Sequence, residues 1–188
     1  MGIRNMEKEP KIEKLNILNN IKISDYQKLE NGTAEWAEAQ EIPSILWDKV
    51  KQQNPELTIK ELLENIRGEL FSIYGKKQDK AKSFADSRFT SLPEMINRGM
   101  TSCGAMVNIF GNVLRKLGIP TKFIHGKLEH QKEVGDRHSW LEIYNPISGT
   151  WIEVDPTRDN FEMLPETLRL KVYHNWQELK EDFDKGEY

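Results

Sequence analysis

One cysteine, Cys103, stands in a chain of 188 residues. An internal disulfide framework is therefore excluded, and so are the zinc sites that take several cysteines. No stretch is long and apolar enough to span a bilayer. The opening "MGIRNMEKEPKIEK" is charged and lacks the apolar centre of a signal peptide. The chain therefore reads as cytoplasmic, although one whose export signal had been removed would read the same way. No block of a single charge occurs either. The 27 basic and 30 acidic residues are mixed, for a net charge of −3. That argues against nucleic acid as the main partner and offers no basic face for a membrane surface. Internal repeats and low-complexity linkers are missing as well.

What is present is a polar, globular composition, with 37% hydrophobic and 30% charged residues. The length suits one domain with its own core rather than two. The pattern suggests an N-terminal polar arm or helical extension over residues 1–40 and a single domain over 41–188. Within the domain we expect a helical middle to about Ile96, a helix–strand–strand–strand segment to Thr157, and a helical tail.

The segment "LTIKELLENIRGELFSIYG" carries a capping box, Thr58 with Glu61, and a hydrophobic staple, Leu57 with Leu62. Ile59, Leu62, Leu63, Ile66, Leu70 and Ile73 recur at helical spacing, and Gly75 is the expected stop. A second helix is expected in "TSCGAMVNIFGNVLRKLGIP". Met106, Ile109, Phe110, Val113, Leu114 and Leu117 line one side, and Arg115 and Lys116 suit the negative end of the dipole. Gly118, Ile119 and Pro120 end it. With Thr101 or Ser102 as N-cap, Cys103 falls in the first turn.

Strands follow. "TKFIHGKL" is one, and "RHSWLEIYNPISGTWIEVDP" is a hairpin. Leu141, Ile143, Ile152 and Val154 alternate to one face; His138, Trp140 and Glu142, with Trp151, Glu153 and Asp155, go to the other. A loop over Asn145–Ser148 would pair Tyr144 with Gly149 and set His138 opposite Asp155. A slip of one residue would separate that pair.

These residue types suggest nucleophilic chemistry. A thiol is a weak nucleophile until it loses its proton, and a helix N-terminus or a neighbouring imidazolium favours that loss. Cys103, His138 and Asp155 would then be nucleophile, base and the carboxylate that orients the base. The backbone N–H of Cys103 is a candidate oxyanion donor, and no second donor is apparent. Each residue also has a plainer reading. Cys103 alone would be a small core residue, His138 a structural strand histidine, and Asp155 a turn residue before Pro156. His125, His130 and His174 compete with His138 but have no carboxylate placed like Asp155. Trp140, Trp151 and Tyr144 suit either a roof over the site or plain packing, and Glu142 with Glu153 reads as a solvated strand face. No metal-ligand spacing appears, and no cofactor is implied.

"SCGAMVNIFGNVLRKLGIPTKFIHG" followed by "DRHSWLEIYNPISGTWIEVDPTRDN" resembles the transglutaminase-like superfamily. Its usual pieces are a cysteine opening a helix, an "LR-x-LGIP" ending, an "H-x-W-x-E-x-Y" strand and a "W-x-x-x-DPT" strand, here in that order from about Pro93 to Asn160. The resemblance implies an α+β, papain-like fold, with the Cys103 helix packed on an antiparallel sheet that carries His138 and Asp155. It implies a thioester mechanism on amide bonds of a peptide or protein, ending in hydrolysis or in transfer to an amine. Many members have a glycine two residues before the cysteine and a tyrosine–alanine pair after it. Here Thr101 and "GAMVN" stand there, which bears on substrate type. A non-catalytic binding module on the same fold is the alternative. An N-glycanase-like enzyme is a third, and the zinc-binding cysteines associated with that group are missing.

Overall fold

The computed structural model describes residues 17–29, 39, 41–74, 103–128, 137–163, 167–173, 178, 181–182 and 185. The expectations placed on Gly75, Thr101, Ser102, His130 and His174 lie outside them. The bounded elements are helices α1 (Ile23–Tyr26), α2 (Ser44–Val50), α3 (Ile59–Tyr74) and α4 (Cys103–Lys116), and strands β1 (Thr121–Leu128), β2 (Arg137–Asn145), β3 (Thr150–Val154) and β4 (Thr167–Tyr173).

The start of α3 follows from its capping box. The Thr58 N–H donates to the Glu61 carboxylate at 2.8 Å, and the Glu61 N–H donates to the Thr58 hydroxyl at 3.3 Å. Two backbone donors with no partner inside the helix are thereby satisfied. Ile59, Leu62, Leu63, Ile66 and Leu70 are buried, as the helical spacing requires.

Helix α4 ends in a Schellman turn. The Gly118 N–H reaches the Arg115 carbonyl at 2.9 Å and the Ile119 N–H reaches Leu114 at 3.0 Å, with Gly118 left-handed at φ 81°. The helix is more enclosed than a one-sided apolar stripe suggests, because Gly104 to Arg115 are all buried. Its polar members bond locally. Asn112 donates to the Asn108 carbonyl at 2.9 Å, and the Arg115 guanidinium grips the Thr121 carbonyl at 2.7 and 2.9 Å. Gly111 allows the helix to lie close to the sheet: a Cβ there would stand 2.4 Å from the Phe123 ring.

The four strands form one antiparallel sheet in the order β3-β2-β1-β4, and α4 packs on β1 and β2. This is the α+β arrangement expected, with two corrections. The region after Thr157 holds a strand, β4, before the helical residues 178 and 181–182. The alternation in "TLRLKVY" suits that strand. The second correction is the hairpin register. Tyr144 pairs with Trp151 and Asn145 with Thr150, two residues away from the expected pairing. Asn145 sets this turn: its side-chain oxygen accepts the Ile147 and Ser148 N–H groups, and its carbonyl accepts the N–H of Gly149, which is left-handed at φ 71°. A slip of two keeps every side chain on its face.

Before residue 40, Leu18, Ile21, Ile23 and Tyr26 are buried in the core. Backbone bonds Ile23 N–H to Leu57 and Ile59 N–H to Ile21 join this segment to the start of α3. The Tyr26 hydroxyl donates to the Tyr144 carbonyl at 2.8 Å. Among the described residues no helix is long and apolar enough to cross a membrane.

Candidate active site

Cys103 is the first residue of α4 and is half-buried. Its N–H therefore belongs to the turn whose donors have no acceptor inside the helix, and the positive end of the dipole lies there. His138 is the second residue of β2, and Asp155 follows the last residue of β3. With the observed register, one more rung of the ladder would set Asp155 against Trp140, so His138 is its diagonal neighbour. Diagonal pairs on one face are within reach of long side chains. The contact is made: His138 Nε2 and Asp155 Oδ2 are 2.7 Å apart.

The carboxylate is enclosed, with its side chain 2% exposed against 17% for the imidazole. Burial alone would favour a neutral acid. The bond and charge of His138 outweigh it, helped by Thr157, whose N–H and hydroxyl donate to Oδ1 at 2.9 and 2.6 Å. Asp155 is thus held below the usual carboxylate range. The same balance acts on His138. Burial opposes its charge, but bonds and charges from Asp155 and from Cys103 prevail and push it up to about 9.

Protonation follows from these contacts. An ionised carboxylate only accepts, so Nε2 carries a proton and donates it to Asp155. In the neutral ring Nδ1 is then the basic nitrogen, and the Cys103 side chain lies near enough to the imidazole to help raise it. The Trp140 indole is fully buried and stacks beside the ring, with centroids 6.4 Å apart and planes 20° from parallel. The structure therefore joins His138 to Asp155 directly, and Cys103, at the start of α4, acts on the same imidazole.

Other candidates fall elsewhere. His125 is buried on β1, with Nδ1 3.2 Å from the Ser139 hydroxyl. Trp151 meets Tyr144 edge-on at 5.4 Å near the hairpin turn. Glu142 is buried rather than solvated, while its cross-strand partner Glu153 is exposed. Two neighbours of the site escaped the sequence reading. Thr157 had a signal, since a hydroxyl two residues after an aspartate suits a side-chain turn. Arg67 had none.

The family model that matches this chain, over residues 49–156, is that of the transglutaminase-like superfamily. Comparison with curated proteins and with solved structures gives no match.

Proposed function

Because the chain belongs to the transglutaminase-like superfamily, we propose that it is a cysteine-dependent enzyme acting on the amide bonds of a peptide or protein. Cys103 is the nucleophile, His138 the base and Asp155 its orienting carboxylate. The observation that carries this reading is the 2.7 Å bond between His138 and the Asp155 carboxylate, on an imidazole that the nearby Cys103 side chain also helps to raise.

His138 Nδ1 takes the thiol proton, and the sulfur adds to the amide carbonyl. The oxyanion formed is stabilised by the Cys103 N–H at the helix start. His138 returns the proton to the departing amine as the tetrahedral adduct collapses to a thioester. Water, activated by the same imidazole, adds to the thioester and releases acid and thiol. Hydrolysis is the reading we favour; a primary amine in place of water would give transfer through the same steps.

Alkylation by iodoacetamide at mildly acidic pH tests the site. Cys103 should react far faster than an ordinary thiol, and His138→Ala should abolish the difference. Reaction of the wild type at the rate of an ordinary thiol would favour a binding module that keeps the fold without the chemistry. Mass spectrometry of a peptide library with and without an added primary amine separates hydrolysis from transfer.

A further inference from the structure

Asp155 starts a compact loop that runs to Phe161. The Asp155 N–H donates to the Phe161 carbonyl at 3.0 Å, the Arg158 N–H to the Asp155 carbonyl at 3.2 Å, and the Phe161 N–H to the Arg158 carbonyl at 3.1 Å. Phe161 is fully buried and left-handed, at φ 61°. A bulky residue holds that conformation only where its surroundings enforce it. Arg67, half-buried on α3, supplies much of that enforcement. Its guanidinium donates to the Asp159 carbonyl at 3.0 Å, to Pro156 at 2.9 Å and to Arg158. It also lies 3.9 Å over the Phe161 ring, whose neighbour at 6.3 Å is Phe110 of the cysteine-bearing helix.

We propose that Arg67 is a positioning residue of this site, acting through the 155–161 loop to hold the Asp155 carboxylate at His138. The inference rests on the triad reading above. A planar fork that meets three carbonyls and a ring face fixes the loop in a way a single point charge cannot. The diagonal placement of His138 and Asp155 makes this matter, because no ladder rung beyond Val154 locates the aspartate. Burial works against the guanidinium charge, and the carboxylates of Asp159, Glu64 and Asp155 support it.

The test is an NMR titration of the His138 ring in the full chain, alongside thermal unfolding, for wild type, Arg67→Gln, Arg67→Lys and Asp155→Asn. The wild-type midpoint is expected near 9, and Asp155→Asn should lower it. Arg67→Gln should lower it by about one pH unit as the Asp155 carboxylate leaves its place at Nε2, whereas removal of the like guanidinium charge by itself would raise it. Arg67→Lys, with its charge kept and its fork lost, should fall between wild type and Arg67→Gln. A purely structural role would lower the unfolding temperature and leave the midpoint alone, and that result in Arg67→Gln overturns the proposal. If Arg67→Gln does not fold, Arg67→Lys decides, and a wild-type midpoint there overturns it equally. A wild-type midpoint near 6.5 would remove both the triad reading and this one. Slow, His138-independent alkylation of Cys103 together with a shifted Arg67→Gln midpoint would remove only the enzyme reading.

Discussion

His138 and Asp155 are diagonal rather than direct neighbours across β2 and β3, and a 2.7 Å hydrogen bond joins them. Each element of that contact has its own support. The sheet places His138, the loop after β3 places Asp155, and Thr157 occupies the second carboxylate oxygen so that the first faces the imidazole. The contact sets both the tautomer and the charge of the ring.

Asp155→Asn should therefore reduce turnover much more than stability. The asparagine oxygen keeps the Thr157 bonds, but its NH₂ then faces Nε2 and demands a lone pair there. The ring proton moves to Nδ1 and blocks the nitrogen that would take the thiol proton. Inversion of a catalytic tautomer reduces rates by roughly 10³-fold or more. Steady-state kcat/KM beside a thermal unfolding curve checks this. Activity within twofold of wild type would make Asp155 a turn residue and nothing more.

The same pair makes stability depend on pH. His138 is raised from 6.5 to about 9, so its contribution is fully present below 6.5 and is lost as pH rises towards 9. The full shift corresponds to about 3 kcal/mol. Asp155 is lowered, so its contribution is present above the unfolded value of 3.8 and is lost as pH falls through its folded value. Stability from the pair is greatest between these limits. Urea unfolding from pH 5 to 9.5 should show a decline above 6.5 that His138→Ala removes. The rate should also fall above about 9, where His138 has no proton to give the leaving amine.

Much of this arrangement is legible along the chain because it rests on local rules. Thr58 with Glu61 and the Gly118–Ile119 stop mark helix ends, and the stop orients α4 so that Cys103 lies at its positive end. The His138–Asp155 contact survives a wrong register because the error is two residues, which preserves the face. Other features depend on distant partners. Arg67 bonds backbone carbonyls 89 to 92 positions away, and carbonyls carry no residue-type signal. The burial of Trp140 and Glu142 is likewise invisible to alternation, which reports that a strand has two faces and not that both are covered.

Two glycines at helix positions should respond oppositely to alanine. Gly68 is exposed on α3, and nothing lies within 4 Å of a Cβ added there. Alanine should stabilise the fold by about 0.5–1 kcal/mol through helix propensity. At Gly111 the same Cβ would meet Phe123 at 2.4 Å and Leu141 at 3.2 Å. Overpacking of that kind costs about 1–3 kcal/mol, which exceeds the propensity gain. Chemical denaturation of the two variants decides between these signs. Stabilisation by Gly111→Ala would show that α4 does not lie against the sheet as described.

Tyr26 offers a test of how the N-terminal segment is tied to the domain. Its phenol is buried, and that burial, with the nearby Asp25 charge, pushes its ionisation well above the usual range, so it remains a donor at every working pH. Its one described bond goes to the Tyr144 carbonyl at the far end of β2 from His138. Tyr26→Phe keeps the ring and removes the donor, leaving a buried carbonyl without this partner, at a cost of about 1–2 kcal/mol. The urea midpoint should fall at constant m. Six residues of strand, about 20 Å, separate Tyr144 from His138, so the His138 titration and Cys103 alkylation should not change. A shift in either would mean that the N-terminal segment acts on the site and not only on the stability of the fold.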